Sequence, residues 1–418
     1  GTRDGNVTAI NRTGDSSLSN KGAIVGGAGG SGTGAAAGGV GVTFSAGGTL
    51  ANAGSIAGYG GADAVDFGTG ASRLILYPQA VFTGAVVGNA AYANALELAA
   101  SASAGTLSSL GAGSVDFGAS KITNFNQSSI DSGAAWALTG GNSLSAAMVL
   151  SNAGTLELAG TLTDNGTFTN TGTLDNSGVI TGNPYGVSGG GTITNSGTIH
   201  GTVAGVDFTA PGTLTNTGLI SGDTYGLIAS AGTVINTGTI QDAGIAGTSL
   251  GSGANVQNDA GALITGVTGA VFTGTGATLT NNGTITGTGG VAVQFDAGAN
   301  TFTIGTGSVL NGSVDGGAGA GVVNFAGTGV ITNTIANFGA GSAINIAGGA
   351  SWTASGSWTA ANIVNAGTLQ PGTLTTPLKV TGNFAQTSAG VLQVALDANG
   401  TGSQLQVTGT AALDGSVA

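Results

Sequence analysis

A seven-residue phrase recurs along the chain and constrains its fold more than any other feature. It reads apolar, any, Asn, any, Gly, any, apolar, as at 50–56, 168–174 and 214–220. The apolar positions lie two residues before and four residues after the asparagine, so they point to one side of a strand whose side chains alternate with period two. The phrase therefore predicts short β-strands that share a buried side.

The spacing of the asparagines indicates a structural repeat. From Asn176 to Asn281 the successive separations are 19, 21, 20, 22 and 23 residues. A glycine-rich bend and a second short alternating strand fill each interval, as at 205–208 and 290–295. Such a unit is typical of one rung, or complete turn, of a parallel β-solenoid. We therefore predict an all-β fold, a parallel β-helix of roughly 20 rungs of about 19–23 residues, which is right-handed by the crossover rule.

The asparagines are predicted to have a structural role at the corners of the rungs. Asparagine tolerates left-handed backbone and bonds to nearby turn amides, and stacked amides can bond to one another along the solenoid axis. The chain has 85 glycines, which suit corners with positive φ. The predicted turn ladder consists of Asn152, Asn170, Asn176, Asn195, Asn216, Asn236, Asn258, Asn281 and Asn365.

Departures from the phrase divide the chain into five segments of one solenoid. We expect N-terminal rungs at 1–71, with a mobile Gly-rich loop at 26–41, and regular rungs at 150–299. The blocks 72–149 and 300–375 are irregular and resemble each other: Val81 to Val86 parallels Val309 to Val314 at an offset of 228 residues. The last segment, 376–418, has a stronger apolar alternation, and we expect it to cap the stack.

Charge and composition exclude several classes of function. Six basic residues against 18 acidic ones give a net charge of −12, which is unsuited to binding nucleic acid or anionic lipid. The chain has no cysteine, and no apolar run reaches the length of a membrane helix. We expect neither nucleic-acid binding nor direct membrane insertion.

Residues suited to catalysis are scarce. His200 is the only histidine, and no G-x-S-x-G elbow is present. Asp66, Asp116 and Asp207 each stand between Val and Phe and are predicted to point outward on a solvated face; a cation-binding stripe or a paired-carboxylate glycosidase site is the alternative. The tryptophans Trp136, Trp352 and Trp358 are predicted to fill the core. We predict no catalytic, cofactor-binding or metal-binding residue, no cofactor, and no enzymatic activity.

The C-terminal segment resembles a known family. The phrase 382–386, the alternating strand 390–397 and the phrase 405–415 are similar to the autochaperone region at the passenger end of bacterial type V autotransporters. The asparagine–glycine rungs also resemble autotransporter passenger repeats over most of the chain. The resemblance implies a β-helix outside the cell, exported through the outer membrane by a C-terminal barrel. No barrel follows 376–418 and no signal peptide precedes Gly1, so we expect a trimmed or cleaved passenger.

The function expected from the resemblance is non-enzymatic: a cell-surface stalk, adhesin or matrix component. Its partners would be ligands on a host, a glycan or a neighbouring cell. One alternative is a structural protein that self-assembles end to end or side by side into filaments or layers. The second alternative is a β-helix enzyme that acts on polysaccharide.

Overall fold

The computed structural model describes residues 10–13, 16–29, 38–111 and 113–418. These residues form an all-β parallel β-solenoid of about 18 rungs, slightly fewer than the sequence predicts, and they contain no helix. The handedness stays a prediction. The predicted loop 26–41 lies partly outside the described residues, since 30–37 is not described.

The strands are short and numerous. In chain order the first are β1 Ile10–Arg12, β2 Ser16–Asn20, β3 Ala23–Val25, β4 Val42–Phe44, β5 Gly48–Asn52, β6 Ser55–Ala57, β7 Val65–Phe67, β8 Ser72–Leu76, β9 Val81–Thr83, β10 Val86–Val87, β11 Ala95–Leu98, β12 Gly105–Gly111, β13 Ser114–Phe117, β14 Ser120–Thr123, β15 Gln127–Ile130, β16 Ala135–Thr139, β17 Gly141–Leu144, β18 Val149–Asn152, β19 Thr155–Leu158, β20 Thr161–Asp164, β21 Thr167–Asn170, β22 Thr173–Asn176, β23 Val179–Gly182 and β24 Tyr185–Asn195.

The remaining strands follow the same pattern, although some turn a corner without a break. They are β25 Thr198–Gly201, β26 Ala204–Asn216, β27 Leu219–Gly222, β28 Tyr225–Ala229, β29 Thr233–Asn236, β30 Thr239–Asp242, β31 Ala246–Leu250, β32 Asn255–Asn258, β33 Leu263–Phe272, β34 Thr278–Asn281, β35 Thr284–Gln294, β36 Thr301–Ile304, β37 Val309–Asp315, β38 Val322–Phe325, β39 Thr328–Ile331, β40 Ile335–Ala336, β41 Ala343–Ile346, β42 Ser351–Ala354, β43 Gly356–Asn365, β44 Thr368–Pro371, β45 Leu378–Gln386, β46 Val391–Leu392, β47 Leu405–Val407, β48 Ala411–Leu413 and β49 Ser416–Val417.

Each regular rung has three strands, and each strand pairs in parallel with its counterpart one rung further. Thus β28, β29 and β30 pair with β31, β32 and the start of β33. Within each unit, we call the stack of strands that end in the asparagine of the phrase wall 2. The stack of strands that follow them in the chain is wall 3, and the remaining stack is wall 1. Three walls around one axis enclose a narrow core, so alternate side chains of every wall point into it.

Stacked aliphatic side chains fill this core. Leu214, Val234, Val256 and Leu279 lie directly above one another on wall 2, and none is more than 1% exposed. Burial of each such side chain contributes about 1.5–3 kcal/mol of hydrophobic stabilisation. The seven-residue phrase therefore accounts for both the wall 2 strands and the stacked column of buried aliphatic side chains.

The chain divides into two compact units, Gly1–Thr194 and Asn195–Ala418. This division falls within the regular segment predicted at 150–299. Within the first unit, the irregular block contains antiparallel pairing of β12 with β13 and of β13 with β14. The sequence repeat does not predict this antiparallel segment. Within the second unit, β45 pairs in parallel with β47 and β48, and β46 with β49, so the strands of 376–418 continue the stack.

All three tryptophans lie in the core. Trp136 and Trp352 are 2% exposed and Trp358 is fully buried. Phe325 contacts two of them, stacking on Trp358 and meeting Trp352 edge-on with ring centroids 5.2 Å apart. The prediction that the tryptophans fill the core is confirmed.

Candidate functional site

The predicted asparagines form hydrogen-bonded ladders inside the solenoid. In the second unit, Asn195, Asn216, Asn236, Asn258 and Asn281 stand on successive rungs, and each side-chain Nδ2 donates to the Oδ1 of the next at 2.7–2.8 Å. All five are fully buried. Their Nδ2 atoms also donate to backbone carbonyls at the corner, so the amides satisfy one another where water has no access.

The first unit has two shorter ladders. Asn20 donates to Asn52 at 2.8 Å, and Asn152 donates to Asn170 at 2.7 Å. The first ladder was not among the predicted residues, although its phrase is visible in the sequence. It ends because Leu76 occupies the next position, which leaves the buried Nδ2 of Asn52 without an acceptor.

The structure distributes the nine predicted asparagines over separate columns. Asn176 ends β22, one rung above Leu158 of β19. Asn365 lies between Ile346 and Gln386 and donates to the carbonyl of Val391 at 3.0 Å. The phrase therefore marks a corner wherever it occurs, but an amide ladder forms only where the neighbouring rung also has asparagine.

Asp164 shows why the phrase tolerates one aspartate. Its Oδ1 accepts from the Gly166 amide at 2.8 Å, the corner bond that an asparagine oxygen also makes. The residues stacked on it in the neighbouring rungs are Leu144 and Gly182. Neither has a side-chain hydrogen-bond acceptor, so the Nδ2 donor of an asparagine is not needed at this position. Burial raises the pKa of the Asp164 carboxyl.

The three aspartates between Val and Phe do not share one environment. Asp116 accepts a bond from Lys121 at 2.8 Å, and this bond lowers its pKa. Burial, assisted by the nearby Asp63, raises the pKa of Asp66. Asp207 is only 8% exposed, and burial raises its pKa. The predicted solvated face is therefore wrong for Asp207, because the whole run from Ala204 to Phe208 is buried.

Two carboxyl groups do meet on neighbouring rungs of the first unit. Arg73 donates Nε to Oε2 of Glu97 at 2.8 Å. Asp131 follows β15 on the next rung, where its amide donates to the carbonyl of Leu98 at 3.1 Å, and burial together with Glu97 raises the pKa of Asp131 to about 6. Arg73, one rung earlier than Glu97, offsets part of this effect, because its positive charge lowers the pKa of Asp131.

The only histidine has a serine and an aspartate beside it. His200 Nδ1 lies 3.0 Å from Ser221 Oγ, and Nε2 lies 3.8 Å from Asp223 Oδ1. The Asp223 side chain is 63% exposed, and its distance to the ring exceeds a hydrogen bond. A working triad needs a buried carboxylate that fixes the ring, so this arrangement lacks the orienting element. Among the described residues, no cluster of three or more His, Cys, Asp or Glu could hold a metal ion.

Both units contain a break in wall 3, which sequence reasoning did not identify. In the first unit β3, β6 and β9 form a separate three-stranded sheet that ends at β9. In the second unit β37 does not pair with β39, which begins a separate five-stranded sheet. The breaks follow Val81–Thr83 and Val309–Asn311, the segments that the 228-residue offset equates.

A side chain from the far side of each break binds the carbonyl group exposed there. Ser120 Oγ donates to the carbonyl of Phe82 at 2.7 Å. Asn333 Nδ2 donates to the carbonyls of Leu310 at 2.8 Å and Gly312 at 2.7 Å. Phe82 and Leu310 are equivalent under the offset, so the two breaks are closed at the same backbone position.

A glycine and a tryptophan recur beyond each break. Gly105 pairs with Trp136 on the next rung, and Gly329 pairs with Trp352. A Cβ on Gly329 would lie 2.5 Å from Cζ3 of Trp352, and the same clash would occur at Gly105. The missing side chain therefore makes room for the indole ring. The recurrence of tryptophan in both irregular blocks was the available sequence signal.

Each break opens a groove. In the first unit the groove has a volume of about 560 Å³ and is lined by Val81, Phe82, Thr106, Phe117 and neighbouring small residues. In the second unit the cavity has a volume of about 190 Å³. The valines at the rims are exposed: Val81 by 55%, Val309 by 47% and Val330 by 68%. Concave apolar sites with a few polar groups are where proteins bind ligands.

Comparison with known proteins gives no match among protein-family models, curated proteins or solved structures. The likeness to autotransporter passengers therefore rests on the quoted phrases and on the β-solenoid fold. The described residues also contain no helix with the length and hydropathy to cross a membrane.

Proposed function

We propose that this chain is the extracellular passenger of an autotransporter-like protein, a type V secretion product displayed on a bacterial cell surface after export through the outer membrane. It acts there as a non-enzymatic stalk or adhesin. The parallel solenoid and the autochaperone-like phrases of 376–418 support this assignment. The non-enzymatic role is supported by the small number of charged residues. It is also supported by the buried asparagine amides, which form hydrogen bonds that stabilise the core.

The observation that carries the adhesin role is the pair of grooves at equivalent breaks. Most apolar side chains of the regular rungs point inward, whereas Val81, Val309 and Val330 are exposed at the groove rims. Exposed apolar residues beside a concave surface are typical of binding sites. The partners are ligands on a host, a glycan or a neighbouring cell.

The test is a binding screen with rim variants. The purified chain, coupled to beads, is applied to a glycan array and to cultured cells. Val81→Asp and Val330→Asp should reduce any binding found, because a charge at an apolar rim must be desolvated on contact. Val179→Asp is the matched control, since Val179 is 41% exposed and lines neither groove. Equal binding by all variants would exclude the grooves as the adhesive sites.

A second candidate function is self-assembly, and one specific surface favours it. The small sheet β3–β6–β9 presents apolar side chains on its outer side, with Val25 57% and Val81 55% exposed. Such a face can associate laterally with a second copy. Analytical ultracentrifugation over a wide concentration range tests this, and a Val25→Lys variant that sediments like the unaltered chain would count against it.

A further inference from the structure

Four asparagines in the chain are followed directly by glycine. They are Asn165, Asn282, Asn311 and Asn399. Because glycine has no Cβ and rotates freely, its backbone nitrogen can reach Cγ of the preceding asparagine and close a succinimide ring. The ladder asparagines lack this pairing, since the phrase places its glycine two positions after the asparagine. The four Asn-Gly pairs are therefore the candidate sites for this reaction, and their surroundings differ.

Two of the pairs lie at rung corners, where neighbouring rungs hold them. The first precedes β21, and the backbone N–H of its Gly166 donates to Oδ1 of Asp164 at 2.8 Å. A carboxylate acceptor keeps the proton on that nitrogen and makes it a poor nucleophile. In the second pair, Asn282 donates its backbone N–H to the carbonyl of Asn258 at 2.7 Å, and Gly283 is buried. At both corners the reaction requires a rung to open.

The third pair lies within strand β37. Asn311 pairs with Thr286 of the preceding rung, and its Nδ2 donates to Oγ1 of Thr286 at 2.9 Å. The carbonyl of Gly312 accepts from Nδ2 of Asn333 at 2.7 Å. Ring closure requires the side chain and the following peptide group to rotate, so these bonds must break first.

The fourth pair lies in the turn 397–402, between β46 and β47. Asn399 and Gly400 are both exposed, and a Cβ on Gly400 would have no atom within 4 Å. The turn is shaped by bonds within itself: Oδ1 of Asp397 accepts from the amides of Asn399 at 2.9 Å and Thr401 at 2.7 Å. The carbonyl of Asp397 accepts from the Gly400 amide at 3.1 Å. These bonds can open locally without unpairing a rung.

We propose that the fold directs self-modification to Asn399. The Gly400 nitrogen attacks Cγ of Asn399, and the side-chain nitrogen leaves as ammonia, carrying away the proton that the Gly400 nitrogen loses. Water then opens the succinimide. Cleavage of the bond to Cγ gives aspartate, and cleavage of the bond to the backbone carbonyl carbon gives isoaspartate. Either product adds a carboxylate beside Asp397. The site is independent of the adhesive role, because the turn lines neither groove.

The experiment follows the full chain during incubation at mildly alkaline pH, once folded and once unfolded in urea. Chymotrypsin digests the samples, because no Lys or Arg lies between Lys121 and Lys379. Mass spectrometry measures the gain of about one mass unit that replaces an amide by an acid. In the folded chain, we expect the Asn399 peptide to react at least about tenfold faster than the other three, which must wait for local opening. In urea, the four peptides should react at similar rates.

Two variants test the assignment. Asn399→Gln keeps the amide but disfavours ring closure, so it should abolish the reaction of this peptide. Asn165→Gln is the matched control and should leave the reaction at Asn399 unchanged. The proposal is overturned if another pair reacts as fast as Asn399 in the folded chain, or if the Asn399 peptide gains no mass while the unfolded chain reacts. It is also overturned if the preference for Asn399 persists in urea, or if the Asn399→Gln peptide still gains mass at the original rate.

Discussion

Asn216 donates its side-chain Nδ2 to Oδ1 of Asn236 at 2.8 Å, and Asn236 repeats the bond toward Asn258 at the same distance. Asn236 also donates to the carbonyls of Gly238 and Leu263, both at 3.2 Å. One amide therefore joins its own corner to the next rung. The hydrogen bonds of the ladder take the place of bonds to water for these stacked side-chain amides, which are buried from solvent.

Asn236→Ala should destabilise the solenoid by about 2–4 kcal/mol, because several buried bonds at about 1 kcal/mol each are lost and Asn258 keeps an unpaired acceptor. The measurement is the free energy of unfolding in urea. Asn345→Ala is the control: Asn345 also donates to an asparagine, Asn324, at 3.0 Å, but both are partly exposed. Similar losses for the two variants would contradict a role for burial.

The sequence allowed the repeat, the parallel solenoid and the buried columns to be predicted, because period-two apolar positions and corner glycines are local signals. Register between rungs was harder to predict. The sequence around Asn176 matches the seven-residue phrase as well as the sequence around Asn170 does. However, Asn170 is stacked on Asn152, whereas Asn176 is stacked on Leu158. Which residues stack on each other depends on the length of every preceding rung. The wall 3 breaks also depend on pairing between distant strands, so their side-chain caps have no local signature.

Gly329→Ala should destabilise the second unit by about 1–3 kcal/mol, since the new Cβ would lie 2.5 Å from the Trp352 ring. The φ angle of Gly329 is not positive, so the effect is steric rather than conformational. A double-mutant cycle with Trp352→Leu, followed by thermal unfolding, should show the smaller side chain relieving the clash. Gly348→Ala is the control, because its nearest atom would be 3.9 Å away; additive effects of Gly329→Ala and Trp352→Leu would argue against the contact.

Asn333→Ala should open the break in the second unit. The carbonyls of Leu310 and Gly312 would lose their donor, and we expect a loss of about 1–3 kcal/mol with faster amide hydrogen exchange in β37 and β39. Ser120→Ala should do the same at Phe82 in the first unit. Exchange in β29 and β32, far from the break, should not change. Uniform acceleration across the second unit would show that Asn333 supports global stability instead.

Stability should fall as pH rises through the titration of Asp131. Its pKa is raised from 3.8 to about 6 by burial and by Glu97, so the folded state holds this proton more tightly than the unfolded state. The favourable contribution is complete below about pH 3.8 and is lost as pH approaches and passes about 6. Solvent screening keeps the effect smaller than the shift alone implies.

The measurement is the thermal midpoint of Asp131→Asn against the unaltered chain at about pH 4 and about pH 7.5. The variant carries no titrating group at this position, so we expect a gain relative to the unaltered chain only at the higher pH. Asp116→Asn should instead lower the thermal midpoint at both pH values: Lys121 lowers the pKa of Asp116, so its stabilising contribution is present at about pH 4 and is lost only as pH falls further, through that lowered value. Parallel pH profiles for the two variants would refute the assigned environments.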